Sequence, residues 1–229
     1  CLYGSPLSGN AHKVRMALAF LGLAYEEETV AAERRQGDAF RALNPMAQIP
    51  VYAEGDFVLR DSQAILAYLA ARHRPGDWDG HTAEERGAIA VWLSHAANEI
   101  FNGPALLRAE KLFGWTIDRS RAHAVAMRIL PVVDAHLAAR TWLVGDRLTI
   151  ADIAASPYLA LAPDGGIDLD DWPHIRDWTR RIAALPRPPR RGALRGTPGR
   201  GPRDPRHRPP VAGRPPSRAH RPPVRRAGP

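Results

Sequence analysis

The sequence predicts an α/β domain over residues 1–73, a linker over 74–81, an all-α domain over 82–186 and a disordered tail over 187–229. Three observations carry this. Short apolar runs alternate with helix-patterned segments as far as His73. Arg74-Pro75-Gly76-Asp77 then breaks the pattern, and from Thr82 onward no strand-like alternation returns.

The elements follow in order. Leu2-Tyr3 is a short strand, and Ser5 to Asn10 is a turn rich in Ser, Gly, Pro and Asn. Val14, Ala17, Leu18 and Leu21 then fall on one face of a helix that stops at Gly22. A second strand runs from Tyr25 to Val30, and three consecutive Glu residues within it predict an exposed edge. Ala32 to Asp38 is charged and irregular, and a short helical piece ends at Leu43. Asn44-Pro45 is a stop-and-turn signal. Gln48-Ile49-Pro50-Val51-Tyr52 opens the third strand at its proline, where the missing N–H costs least. Gly55-Asp56 turns the chain into Phe57-Val58-Leu59, and Arg60-Asp61-Ser62 caps a helix with Ile65, Leu66 and Leu69 inward.

In the second domain Thr82 and Glu85 make a capping box for a helix running to about Asn102. Asp118 to Ala139 forms a long helix with Val125, Ile129, Val132, Val133 and Leu137 on its buried side. Leu148-Thr149-Ile150-Ala151-Asp152-Ile153 is the clearest folding signal, with Thr149 as N-cap and Asp152 reaching back to it. A last helix spans Trp172 to Leu185.

The net charge of +8 belongs to the tail, where residues 187–229 hold 13 Arg, no Lys and a single acid, Asp204. The rest of the chain is mildly acidic and advertises no basic binding face. The tail is too poor in apolar residues to offset chain entropy, and it lacks aromatics to stack on bases, which argues against nucleic-acid binding. Its Arg, Pro, Gly and Ala content also fits a GC-rich gene read out of frame, which the gene sequence would decide. One cysteine, Cys1, excludes an internal disulfide. No run approaches the length of a membrane span and no signal-peptide pattern opens the chain, so a cytoplasmic protein is expected. Nine His without the i, i+4 pairing of a helical zinc site predict no metal. Gly4 and Gly9 have P-loop spacing, but Asn10-Ala11 stand where Lys-Ser/Thr is required.

Three separated stretches agree on a family: the strand and Ser-containing turn before the first helix, Asn44-Pro45-Met46-Ala47-Gln48-Ile49-Pro50-Val51, and Leu59-Arg60-Asp61-Ser62-Gln63-Ala64-Ile65. With an all-helical second half containing Thr149-Ile150-Ala151-Asp152, the chain closely resembles the cytosolic glutathione transferases. It looks most like bacterial members related to the serine-using, phi/theta-like classes. The resemblance covers about residues 1–186. It implies a thioredoxin-like N-terminal domain, an all-α C-terminal domain and a homodimer.

The resemblance also assigns roles around glutathione, the implied co-substrate. Pro50 would be cis and would turn the Ile49 backbone to pair with the cysteinyl backbone of glutathione, with Gln48 beside it. Ser62 would meet the γ-glutamyl carboxylate at the start of its helix, and Asp61 the amino group. Arg35, or else Arg34, would meet the glycyl carboxylate. A thiol of pKa about 8.5 is mostly protonated at neutral pH, and a hydroxyl donated to the sulfur favours the nucleophilic thiolate. Ser8 is the candidate for that hydroxyl, with Ser5 in the same turn, Tyr3 and Cys1 as rivals. Phe101, Leu106, Leu107, Phe113 and Trp115 come from the region that walls the electrophile pocket in this family, or belong to the core. The implied activity is conjugation of glutathione to hydrophobic electrophiles in detoxification. Glutathione-dependent peroxide reduction, dehalogenation and non-catalytic ligand binding are the alternatives.

Overall fold

The computed structural model describes residues 1–188. Strands β1 (Leu2–Gly4), β2 (Glu27–Thr29), β3 (Val51–Glu54) and β4 (Phe57–Arg60) form one sheet in the order β2-β1-β3-β4. β1 and β2 are parallel, joined through helix α1 (Gly9–Phe20), and the other two pairings are antiparallel. Register sorts the side chains. Leu2 opposes Tyr52 on the face that packs with Val14, Leu18, Ile65, Leu66 and Leu69, whereas Tyr3 opposes Val51 on the face shared with Val30 and Phe40. Helices α2 (Ala32–Arg35) and α3 (Asp38–Leu43) lie in the β2–β3 connection, and α4 (Ser62–His73) follows β4.

The second half is helical: α5 (Ala83–Ala97), a π-helical turn at Phe101–Ala105, α6 (Leu106–Phe113), α7 (Arg119–Leu137), α8 (Ile150–Ala160) and α9 (Pro173–Ala183). Every residue of α8 up to Leu159 is buried, so it is the axis on which α1, α4, α5 and α9 pack. The capping box at its start is complete. The Asp152 carboxylate accepts from the Thr149 N–H at 3.0 Å, the Leu143 N–H at 2.9 Å and the Trp178 indole at 3.0 Å.

Four local expectations differ from the structure. β2 is shorter than Tyr25–Val30, because an edge strand is held by β1 alone. The charged segment after Val30 is not irregular throughout; Ala32–Arg35 makes a helical turn. The helix from Thr82 ends at Ala97 rather than near Asn102, and the π-helical turn absorbs Pro104, which has no N–H for a regular helical bond. Gly103 there lets α7 approach; a Cβ would stand 2.8 Å from the Ala126 nitrogen. On α7, Val132 is 52% exposed, and Leu130 takes the buried place with the small residues Ala122 and Ala126. The stripe is partly alanine, so counting only large aliphatics misplaced its edge. The tail beyond residue 188 lies outside the described residues, and with it the expectation of disorder.

Candidate active site

Three short segments of the first half meet at one cleft: the turn before α1, the loop before β3 and the start of α4. Each is fixed locally. Ser8 is the N-cap of α1, its Oγ accepting from the Ala11 N–H at 3.2 Å. The guanidinium of Arg15 gathers the carbonyls of Ser5, Pro6 and Ser8 at 3.2–3.3 Å and holds the turn from behind. Asn44 is buried and pins the second loop, donating to the Gln48 carbonyl at 2.8 Å and accepting from the Met46 N–H at 3.1 Å. The Ile49–Pro50 peptide is cis. Asp61 caps α4, its Oδ1 accepting from Gln63 and Ala64 at 2.9 and 3.0 Å. Its φ of 78° is unusual for a side-chain-bearing residue and marks a backbone held in place by its surroundings.

These segments and the helical half enclose a cavity of about 510 Å³. Ser8, Arg35, Gln48, Ile49, Asp61 and Ser62 all line it, and Ser5 does so as well. Pro50 is buried behind the wall. Tyr3 instead packs edge-on against Phe40 at 6.4 Å, and neither it nor Cys1 reaches the cavity. Of the two candidate arginines, Arg34 pairs with Glu28, while Arg35 faces the cavity with a buried Nε that no group of the described residues satisfies. The starts of α1 and α4 converge, with the Ser62 hydroxyl 3.4 Å from Asn10 Oδ1. Phe101, Leu106, Phe113 and Trp115 add an apolar, mostly aromatic wall to the cavity, whereas Leu107 belongs to the core.

Three residues that the sequence left unmarked shape this cleft. Tyr158 of α8 lines the cavity and supports Gly9 so closely that a Cβ there would meet its ring at 2.4 Å. Burial pushes its phenol up against a hydrogen bond from the Asn10 backbone. Lys13, one turn into α1, is buried with its ammonium 5.2 Å from the Tyr158 ring centroid. Burial draws its pKa down to about 7, against the pull of Asp61. Arg108 of α6 donates Nη1 to the Leu7 carbonyl at 3.0 Å and Nε to Asp164 at 2.9 Å, tying the Ser8 turn to the helical half. In the sequence these are a lysine and an arginine on amphipathic helices and a tyrosine in an apolar run, and nothing there separates them from ordinary helix residues.

Fold and cleft together define a thioredoxin-like domain joined to a helical domain, with a polar peptide-sized groove on one side and an aromatic wall on the other. The family model for the glutathione S-transferase N-terminal domain matches residues 2–77, and that for the glutathione S-transferase C-terminal domain matches 118–186. The chain is 35% identical over 200 residues to glutathione S-transferase 3 of Zea mays, covering 81% of this chain and 89% of that one. Against glutathione S-transferase GstB of Escherichia coli K12 it is 30% identical over 198 residues, covering 81% and 93%. The crystal structure of a glutathione S-transferase from Pseudomonas fluorescens Pf-5 matches with a TM-score of 0.75 and 31% identity, covering 81% of this chain and 94% of that one. The chain belongs to the glutathione S-transferase family, and its enzymatic class is that of a glutathione transferase. Among the described residues no helix is long and apolar enough to cross a membrane, and no cluster of metal-ligating side chains occurs.

Proposed function

We propose that the protein is a serine-using transferase that adds the glutathione thiolate to hydrophobic electrophiles, with Ser8 stabilising the thiolate. The observation that carries this is the bonding of Ser8. Its oxygen accepts from Ala11, and its O–H has no acceptor among the described residues, so that proton is available to a sulfur in the cavity it lines. One charge-assisted hydrogen bond is worth about 1.5–3 kcal/mol, which is about one to two pKa units of the thiol.

The remaining groups suit the rest of glutathione. Ser62, whose backbone N–H at the start of α4 has no partner among the described residues, suits the γ-glutamyl carboxylate, and Asp61 Oδ2, likewise unpartnered, suits the ammonium. The Ile49 backbone has no partner among the described residues and can pair with the cysteinyl unit as a strand would. Arg35 lines the cavity in no ion pair among the described residues, and its guanidinium suits the glycyl carboxylate, with Gln48 beside it. The aromatic wall suits an apolar electrophile. We place the enzyme in the cytoplasm, where glutathione is kept reduced, and as a homodimer. The support for a dimer is an apolar ledge on β4 and α4, where the exposed Phe57 ring stands 4.7 Å from that of Tyr68.

The test is Ser8→Ala with Ser5→Ala beside it. Ser8→Ala is expected to raise the thiol pKa of bound glutathione by about 1–2 units and to lower kcat about 10- to 100-fold, with KM for glutathione changed little. Ser8→Asp keeps the helix cap but supplies a negative charge in place of the donor, and should be as slow. A bound-thiol pKa and turnover unchanged from the wild type in Ser8→Ala would refute the assignment. Loss of both in Ser5→Ala alone would move the role to Ser5.

A further inference from the structure

Arg108 is a cation in an apolar wall. Its side chain is 7% exposed, on α6, the helix that also carries Phe113, and it lines the cavity together with Phe101, Phe113 and Trp115. The proposed glutathione groups leave it unused, since Arg35 and the start of α4 serve the two carboxylates. Two of its three nitrogens are engaged, Nε by Asp164 and Nη1 by the Leu7 carbonyl. The third, Nη2, has no partner among the described residues, yet it is not among the sealed, unsatisfied polar atoms. Arg108 lines the cavity, and Nη2 is the nitrogen left to meet a ligand there.

Three features make that nitrogen a recognition element rather than a structural remnant. The guanidinium is fixed by two bonds, so a third group binds without a further rotamer cost. Leu7 precedes Ser8, so the cation stands close to the residue proposed to hold the sulfur. Asp164 balances part of the charge but is itself about half exposed, and its carboxylate approaches Nε and not Nη2. A donor of this kind in a wall otherwise aromatic rewards an acceptor that carries charge.

We infer that Arg108 is a specificity residue of the electrophile site, selecting apolar electrophiles that carry a carboxylate near the reacting carbon. This rests on the transferase reading above. In a displacement on such a substrate, the sulfur of glutathione forms the C–S bond, the C–Cl bond breaks, chloride leaves with the bonding pair, and the thiol proton goes to solvent. Arg108 takes no part in those steps and holds the carboxylate.

The experiment compares 3-(chloromethyl)benzoate with its methyl ester, each rate divided by the uncatalysed rate with glutathione. The full-length protein is expected to favour the acid by about 10- to 100-fold in kcat/KM, the value of one charge-assisted hydrogen bond. In Arg108→Gln the acid-to-ester ratio should fall towards one, whatever happens to either rate alone, and in Arg108→Lys it should be partly retained. An ester used as well as the acid by the wild-type protein overturns the inference and leaves the transferase reading intact. So does a Gln variant in which both rates fall together, because that is the signature of a purely structural tie to Leu7. Turnover of neither substrate overturns both. The wild-type comparison needs no variant, so it decides even if Arg108→Gln does not fold.

Discussion

Replacing Lys13 by methionine should stabilise the protein, and by an amount that shrinks as pH rises. Lys13 is 1% exposed and no ion pair among the described residues includes it. Its folded pKa of about 7 lies below the ordinary 10.5, so the folded state prefers the neutral amine. Between those values the unfolded chain binds more protons than the folded one, and stability rises with pH. The separation of 10.5 from about 7 amounts to a penalty of about 5 kcal/mol in acid, about 4 at pH 7 and about 2 at pH 9. Methionine is similar in length and carries no charge, and every other titrating group is common to both proteins. Urea unfolding of wild type and Lys13→Met, at one protein concentration, should show the variant ahead at pH 7. Its lead should narrow by about 2 kcal/mol at pH 9. A lead that stays constant to within about 0.5 kcal/mol, or widens at pH 9, would refute the reasoning.

Other outcomes follow from single contacts. Asp152→Ala removes the acceptor of four buried donors and should cost about 3 kcal/mol or more in chemical denaturation. Gly103→Ala sets a methyl against the rigid backbone of α7 and should cost about 1–3 kcal/mol, measured in the same way. Gly9→Ala drives a methyl into the Tyr158 ring and should lower kcat as well as stability, because Ser8 is its neighbour. Arg35→Ala should raise KM for glutathione about 10-fold with kcat changed less than about 2-fold, the pattern of a contact equal in ground and transition states. Phe57→Asp, on the apolar ledge of β4, should shift sedimentation towards the monomer.

The sequence alone determined what depends on neighbours along the chain. Caps, turns and strand-to-helix order are set within a few residues, so Thr149 with Asp152, the Gly55 turn, the core face of α4 and the change to an all-helical half were legible. The turn at Ser8, the loop at Gln48-Ile49-Pro50 and the start of α4 were legible too, as separate motifs with roles lent by family resemblance. Only the tertiary structure brought them to one cavity and distinguished Arg35, with its unsatisfied nitrogen, from Arg34 in its surface pair. It also decided the burial of Lys13, the place of Tyr158 under Gly9 and the bridge from Arg108 to Leu7, 101 residues apart. The reason is physical. Burial and pKa depend on what packs against a residue from distant segments, and a charged side chain in an amphipathic helix has the same local pattern whether it meets water or a cleft.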